Sequence, residues 1–318
     1  DYCEASTSSL CDLKTGAWSE EIRRLLEFPR DIYPEIKGTC EVCGTVTKQW
    51  QEKFHFKQDV KVLTGTGDNP AAAIATGCFA KGYPVLSLGT SGVLMYPKKK
   101  INFEVKGKNI LFSMDGKDVL ILVQGVVQST GSSLAWWVKN TLQADDFMEE
   151  TTGVDLKHLG ENELMFYPHL VGDKTIYQDP ELRGSFVGIG TDTTRKEMTI
   201  AVMEGIAFAV RQLVSVMGVS KEELARLKVT GGGSKNEVWM QILADVLNTK
   251  VEQLESGAGA GYGIALCAAA AGDENLSMND LIEQTVSIKN TFIPRQYNRE
   301  LYEQKYQKYL RVYDALKH

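Results

Sequence analysis

The chain has 318 residues, 43% of them hydrophobic and 24% charged, which is enough to bury a substantial core and long enough for two domains. A formal net charge of −6, with no basic run beyond Lys98, Lys99 and Lys100, offers no positive field to a polyanion and excludes nucleic acid as an expected partner. The apolar stretches 119–123 and 264–271 fall far short of the roughly 20 residues a spanning helix needs, so no membrane segment is expected.

Along the chain, four places show an apolar strand running into a turn rich in Gly, Ser, Thr or Asp and then into a helical pattern or a hairpin, the grammar of an α/β protein. The first is a strand at 60–63, a turn at 64–69 and a helix from Pro70 to about Lys81, with Pro70 at the first helical position and Gly82 ending the helix. A hairpin follows, 84–88 and 93–96 around Gly89-Thr90-Ser91-Gly92, and then strands near 110–114 and 119–123 joined by Asp115-Gly116. Helical periodicity at 129–142 sets Leu134, Trp137, Val138 and Leu142 on one face, a stripe read as core.

The strongest amphipathic helix spans 194–217. A strand at 227–230 leads into Gly231-Gly232-Gly233-Ser234 and a helix at 236–247. The last helix, 298–316, carries Tyr302, Tyr306, Tyr309 and Tyr313 as an aromatic packing seam; a homodimer through it is a further expectation. The predicted domain boundary lies near Tyr83.

Six cysteines stand at 3, 11, 40, 43, 78 and 267, and only Cys40 and Cys43 form a Cys-x-x-Cys pair. A zinc site would need a second pair or nearby histidines, so reduced thiols in a cytoplasmic protein are expected. The chain opens on Asp1 with no signal-like apolar region, and the true start of the gene product is expected upstream.

Familiar motifs are absent: no Gly-Lys-Ser/Thr loop, Gly-x-Gly-x-x-Gly fingerprint, His-Glu-x-x-His or Gly-x-Ser-x-Gly elbow. Gly65-Thr66-Gly67-Asp68-Asn69-Pro70 sits where a strand meets a helix, and Asp68 there is either a helix cap or a presented carboxylate. Gly89-Thr90-Ser91-Gly92 offers unobstructed N–H groups and two hydroxyls, fit for phosphate oxygens or for an ordinary hairpin turn. Gly231-Gly232-Gly233-Ser234 gives a side-chain-free surface at a strand end, where a ribose or adenine could lie, or serves as a loop. The glycines at 257, 259, 261 and 263 suit close packing of two helices at a hinge, and equally a small-residue core helix.

In this order, these elements resemble the second half of the FGGY sugar kinases, relatives of the actin and Hsp70 ATPases. Most specific is the stretch Gly184, Phe186, Gly188, Ile189, a seven-residue gap, then Glu197, Met198, Ala201, Val202, Met203 and Glu204, which resembles the family's C-terminal signature. The resemblance implies an α/β, actin-like ATPase (ribonuclease H-like) fold, with 1–83 the end of the first domain and 84–318 a complete second, ATP-binding domain. It implies Asp68 as catalytic base, and Asp68 and Asn69 as sugar contacts. Gly89, Thr90 and Ser91 correspond to the second phosphate loop, and Gly231, Gly232, Gly233, Ser234 and Asn236 to the adenosine motif. ATP and Mg2+ are the implied cofactors, with magnesium held mainly by phosphate and water.

The opening residues Asp1 to Ser6, with Leu10, Asp12, Trp18 and Ser19, resemble a segment well inside the family's first domain. The Asp-x-Gly-Thr loop and further sugar contacts are therefore expected upstream, and the chain alone is expected to hold an incomplete active site. Asp68-Asn69-Pro70 resembles xylulose kinases more than glycerol kinases, where glutamine typically follows the aspartate. The expected reaction is thus D-xylulose to D-xylulose 5-phosphate, with ribulose, gluconate or glycerol as alternative substrates. A non-catalytic nucleotide-binding module or inactive fragment is the alternative of another class.

Overall fold

Val85, Leu86 and Leu88 are wholly buried because their strand, β1 (Val85–Leu88), runs through the middle of a sheet covered on both faces. The computed structural model describes residues 1–57, 59–255, 259–273 and 275–317. Seven strands form that sheet: β1, β2 (Gly92–Lys98), β3 (Lys108–Phe112), β4 (Leu120–Val127), β5 (Arg226–Thr230), β6 (Lys250–Leu254) and β7 (Ile288–Phe292). Their spatial order is β7-β6-β5-β1-β2-β4-β3. Strands β1, β5 and β6 are mutually parallel, while β2, β4, β3 and β7 join antiparallel.

Period-two alternation sends the two sets of side chains to different cores. Leu86, Leu88, Leu94, Tyr96, Leu111 and Val123 face the larger core, with Phe208 and Val210 from the helix Arg195–Val216 and Trp239 and Ile242 from Glu237–Leu247. Val85, Met95, Ile110, Phe112 and Leu122 face the smaller one, with Ala73 and Ile74 of Asp68–Ala75 and Cys267 of Ala260–Gly272. Parallel central strands need this cover on both faces.

The helix Arg195–Val216 starts at a capping box in which Thr194 Oγ1 accepts the Glu197 N–H and the Glu197 carboxylate accepts the Thr194 N–H. By length and composition this helix could cross a membrane, which a search for unbroken apolar runs overlooks. Most of it is buried inside the protein, as a core helix would be.

Three helices differ from the spacing-based expectation. The first begins at Asp68 and ends at Ala75, because Gly77 turns to φ +69 and the buried Lys228 ammonium donates to Thr76 O at 2.7 Å; a second piece runs Cys78–Lys81. The segment 129–142 divides into Gly131–Ala135 and a π-helical turn, Trp136–Thr141. The last helix is Gln296–Tyr309 followed by Val312–Leu316.

Tyr302, Tyr306 and Tyr309 are buried against Phe208, so the tyrosine seam packs inward. A buried ion pair fastens it: Lys305 Nζ meets Glu204 Oε2 at 2.5 Å, and Tyr302 donates to Glu204 Oε1 at 2.9 Å. Among the suspected hinge glycines, Gly263 is the one whose missing Cβ lets Ala260–Gly272 meet Asp68–Ala75, at the carbonyl of Ala71. Gly259 and Gly261 face open space, and Gly257 lies outside the described residues.

Candidate active site

The turn 64–67 is held by the first residues of the chain. Asp1 caps the short helix Tyr2–Thr7, and its Oδ2 accepts the Thr66 hydroxyl at 2.6 Å. A Cβ on Gly67 would stand 2.7 Å from Glu4 Oε1, the mobile end of a side chain that can swing aside. Gly67, not Asp68, is the helix N-cap; Asp68 is the first helical residue, and its Oδ1 accepts the Asn69 N–H at 2.7 Å. The Asp68 side chain is exposed.

The Gly89–Gly92 turn between β1 and β2 is clamped from outside. Thr130 Oγ1 and the Gly131 N–H donate to Gly89 O at 3.0 and 2.9 Å, while the N–H and hydroxyl of Ser132 donate to Thr90 O at 3.0 and 3.1 Å. These bonds fix the carbonyls, and among the described residues the N–H groups of Thr90 and Ser91 meet no acceptor. Two free amides on a fixed turn are a ready anion cradle. Gly131 is indispensable to the clamp, because a Cβ there would overlap Gly89 O. Gly92 likewise leaves room for Thr130.

The third loop leaves β5 through Gly231 at φ +93, where a Cβ would press on Leu88 O. Gly232 faces open space, whereas Gly233 packs on Leu88 and Trp239. Ser234 turns inward and donates its hydroxyl to Gly231 O at 2.7 Å. Asn236 is buried: its Oδ1 caps Glu237–Leu247 by accepting the Trp239 N–H, and its Nδ2 donates to Thr151 Oγ1. It thereby holds the loop, and its Nδ2 keeps a second N–H.

Gly89, Thr90, Gly232, Gly233 and Asn236 share one cleft of about 830 Å³. Its remaining wall comes from residues that sequence spacing assigned to core or left unassigned, above all Gly131, Ser132, Trp136, Phe147 and Met148. A second cavity of about 790 Å³ lies on the other side of the glycine loop, touching Gly231, Gly232, Ser234, Ser87, Ala72 and Thr76. Asp68, Ala72 and Thr76 stand four residues apart, so Asp68 heads the helix stripe that enters this second cavity. Asp68, Asn69 and Ser91 line neither cavity.

Residues 85–272 match the C-terminal domain of the FGGY family of carbohydrate kinases, and residues 1–75 match its N-terminal domain. The chain belongs to this family. It is 29% identical over 317 residues to the xylulose kinase of Bacillus subtilis (strain 168), covering 100% of this chain and 63% of that protein. To the xylulose kinase of Lactococcus lactis subsp. lactis it is 32% identical over 315 residues, covering 98% of this chain and 62% of that protein. The crystal structure of a "xyloylose kinase" from Brucella ovis superposes with a TM-score of 0.87 at 27% identity, covering 99% of this chain and 64% of that one. Glycerol kinases match as well, some over less of the chain. The chain thus spans a little under two thirds of the length of these xylulose kinases, and its fold is the actin-like ATPase fold of the FGGY sugar kinases.

Proposed function

We propose that the whole protein transfers the γ-phosphoryl group of MgATP to a hydroxyl of D-xylulose in the cytoplasm, with 1–83 and 84–318 belonging to its first and second domains. The observation that carries this reading is the single cleft joining the clamped Gly89-Thr90 turn to the bare Gly232-Gly233 loop, in a chain similar to xylulose kinases over its full length.

Phosphoryl transfer depends on positioning and charge stabilisation more than on covalent chemistry. The free amides of Thr90 and Ser91 would hold phosphate oxygens, while Gly232 leaves room for the nucleoside. Magnesium would come with the nucleotide, bound mainly through phosphate and water, and would neutralise the charge of the transferring phosphate. Asp68, exposed ahead of the Ala72 and Thr76 stripe, would orient the sugar hydroxyl. Its carboxylate accepts the proton as the new O–P bond forms and the β–γ bridge breaks, releasing ADP. Asn69 would bond neighbouring sugar hydroxyls.

An ADP-release assay of the full-length protein over a sugar panel tests the assignment. D-xylulose should give turnover well above glycerol and gluconate. The reverse order would refute the sugar, and no release with any sugar would refute the kinase.

A further inference from the structure

We infer that Cys40 and Cys267 are a peroxide-sensing thiol pair, whose disulfide ties the anchor of the Asp68 turn to the helix Ala260–Gly272 and slows turnover. The effect on turnover rests on the kinase reading proposed above; the bond itself does not.

Separate contacts bring the two cysteines together. Cys40 lies in a turn just ahead of the antiparallel pair Val42–Thr45 and Lys61–Leu63, and Lys61 Nζ donates to Ala271 O at 3.3 Å, near the end of the helix Ala260–Gly272. Cys267 stands about one turn earlier in that helix. It is buried in the smaller core, and Cys40, half-buried, packs against the same core. Their thiols are near enough to hydrogen-bond.

The two thiols differ as a sensing pair requires, one accessible and ionisable, the other poised beside it. The hydrogen bond with Cys267 holds the Cys40 thiol below its ordinary range. The same bond, together with burial, holds Cys267 up as a thiol. Cys78, wholly buried in this core, is pushed up to about 12, and burial raises Cys3 as well. Among the cysteines of this core, Cys40 is thus the one whose thiolate is favoured. The pair stands reduced at rest, which suits a cytosolic disulfide that is transient and sensing rather than structural.

The bond would act on the candidate catalytic turn. Thr39 O accepts the Gly65 N–H and Glu41 O accepts the Thr64 N–H, each at 3.0 Å, so the neighbours of Cys40 on both sides seat the turn that presents Asp68. The helix bearing Cys267 packs on the helix headed by Asp68, at Gly263 and Ala71. Positions 40 and 267 also fall on opposite sides of the proposed boundary between 83 and 84. A bond between them would restrain the domain motion that sets turnover in many enzymes that close on their substrates.

The oxidant is hydrogen peroxide. The Cys40 thiolate attacks one peroxide oxygen, an S–O bond forms, the O–O bond breaks, and the departing hydroxide takes up a proton as water. The Cys267 sulfur then attacks the sulfenic sulfur of Cys40. The S–S bond forms, the S–O bond breaks, and the hydroxyl leaves as water with the Cys267 proton. The sulfurs lose the pair of electrons that peroxide gains.

Peptide mapping of the full-length protein tests this. Reduced protein is treated with hydrogen peroxide, remaining thiols are capped with N-ethylmaleimide, and the digest is read by mass spectrometry beside turnover with MgATP and D-xylulose. A cross-linked peptide pair carrying Cys40 and Cys267 should appear, turnover should fall in proportion to the fraction bridged, and dithiothreitol should reverse both. Cys43→Ser should change neither result, whereas Cys40→Ser should abolish the bond and make turnover insensitive to the same dose. In Cys267→Ala, Cys40 should stall as a sulfenic acid that dimedone labels. Cys40 left unmodified, Cys40 joined to Cys43 instead, or full turnover in the bridged protein would overturn the inference. Absence of turnover in the reduced protein would overturn the kinase reading, and the peptide map would still decide the bond.

Discussion

Gly131→Ala probes the clamp on the phosphate turn. The added Cβ would come within 3.0 Å of Gly89 O, a backbone atom that cannot swing aside as a flexible side chain can. Relief requires the turn and the helix start to separate, which stretches the Gly131 N–H and Thr130 hydroxyl bonds to Gly89 O. Overpacking of this kind costs about 1–3 kcal/mol, offset in part by the better helix propensity of alanine. That corresponds to a fall in melting temperature of about 2–8 °C. Displacing one or two of the amide donors proposed to hold phosphate should cost roughly 10- to 150-fold in nucleotide affinity, since hydrogen bonds to charged groups are worth about 1.5–3 kcal/mol. Gly232→Ala is the contrast: its Cβ meets nothing, so the fold should keep its melting temperature while the cleft narrows. Thermal melts and calorimetry with MgATP read both effects. Unchanged melting and unchanged affinity in Gly131→Ala would refute the clamp.

At the helix crossing, Gly263→Ala should destabilise by about 1–3 kcal/mol because its Cβ would overlap Ala71 O, while Gly261→Ala, in open space, should be neutral or stabilising; equal denaturation midpoints for the two would contradict the close packing. Lys305→Met should cost about 3–5 kcal/mol by leaving Glu204 buried and unpaired, and adding Glu204→Leu should restore much of the loss. A double variant no more stable than the single one in urea unfolding would show that the buried charge is not the cause.

Local signals in the sequence carried the loops well. Glycine runs at strand ends found the Gly89 and Gly231 turns, because a turn that needs φ above zero or a bare backbone leaves a composition mark. The amphipathic pattern at 194–217 likewise marked the core helix. Less legible was anything decided by distant contacts. The clamp of Gly131 on Gly89 spans 42 positions, and residue 131 carries no local sign that a carbonyl from another strand needs its space. Strand β6 has no apolar run to mark it, because Glu252 and Gln253 interrupt it; both are buried, Glu252 against Arg226 and Lys250, and Gln253 on Ser234 O. The break at Gly77 depends on Lys228 arriving from β5 to take the Thr76 carbonyl. Asn236 stands on the cleft wall, as its place beside the glycine loop suggested, and the bonds that seat it, the helix cap and Thr151, come from contacts the sequence does not show.

The central claim is that Asp68 takes the sugar proton. Its most direct test is Asp68→Asn in the full-length protein, measuring turnover with D-xylulose and, separately, MgATP binding. Asparagine keeps the size of the side chain but cannot accept the proton. The account predicts a fall in kcat of several orders of magnitude with nucleotide affinity nearly unchanged, the mark of an interaction made only in the transition state. Near-normal turnover in that variant would contradict it.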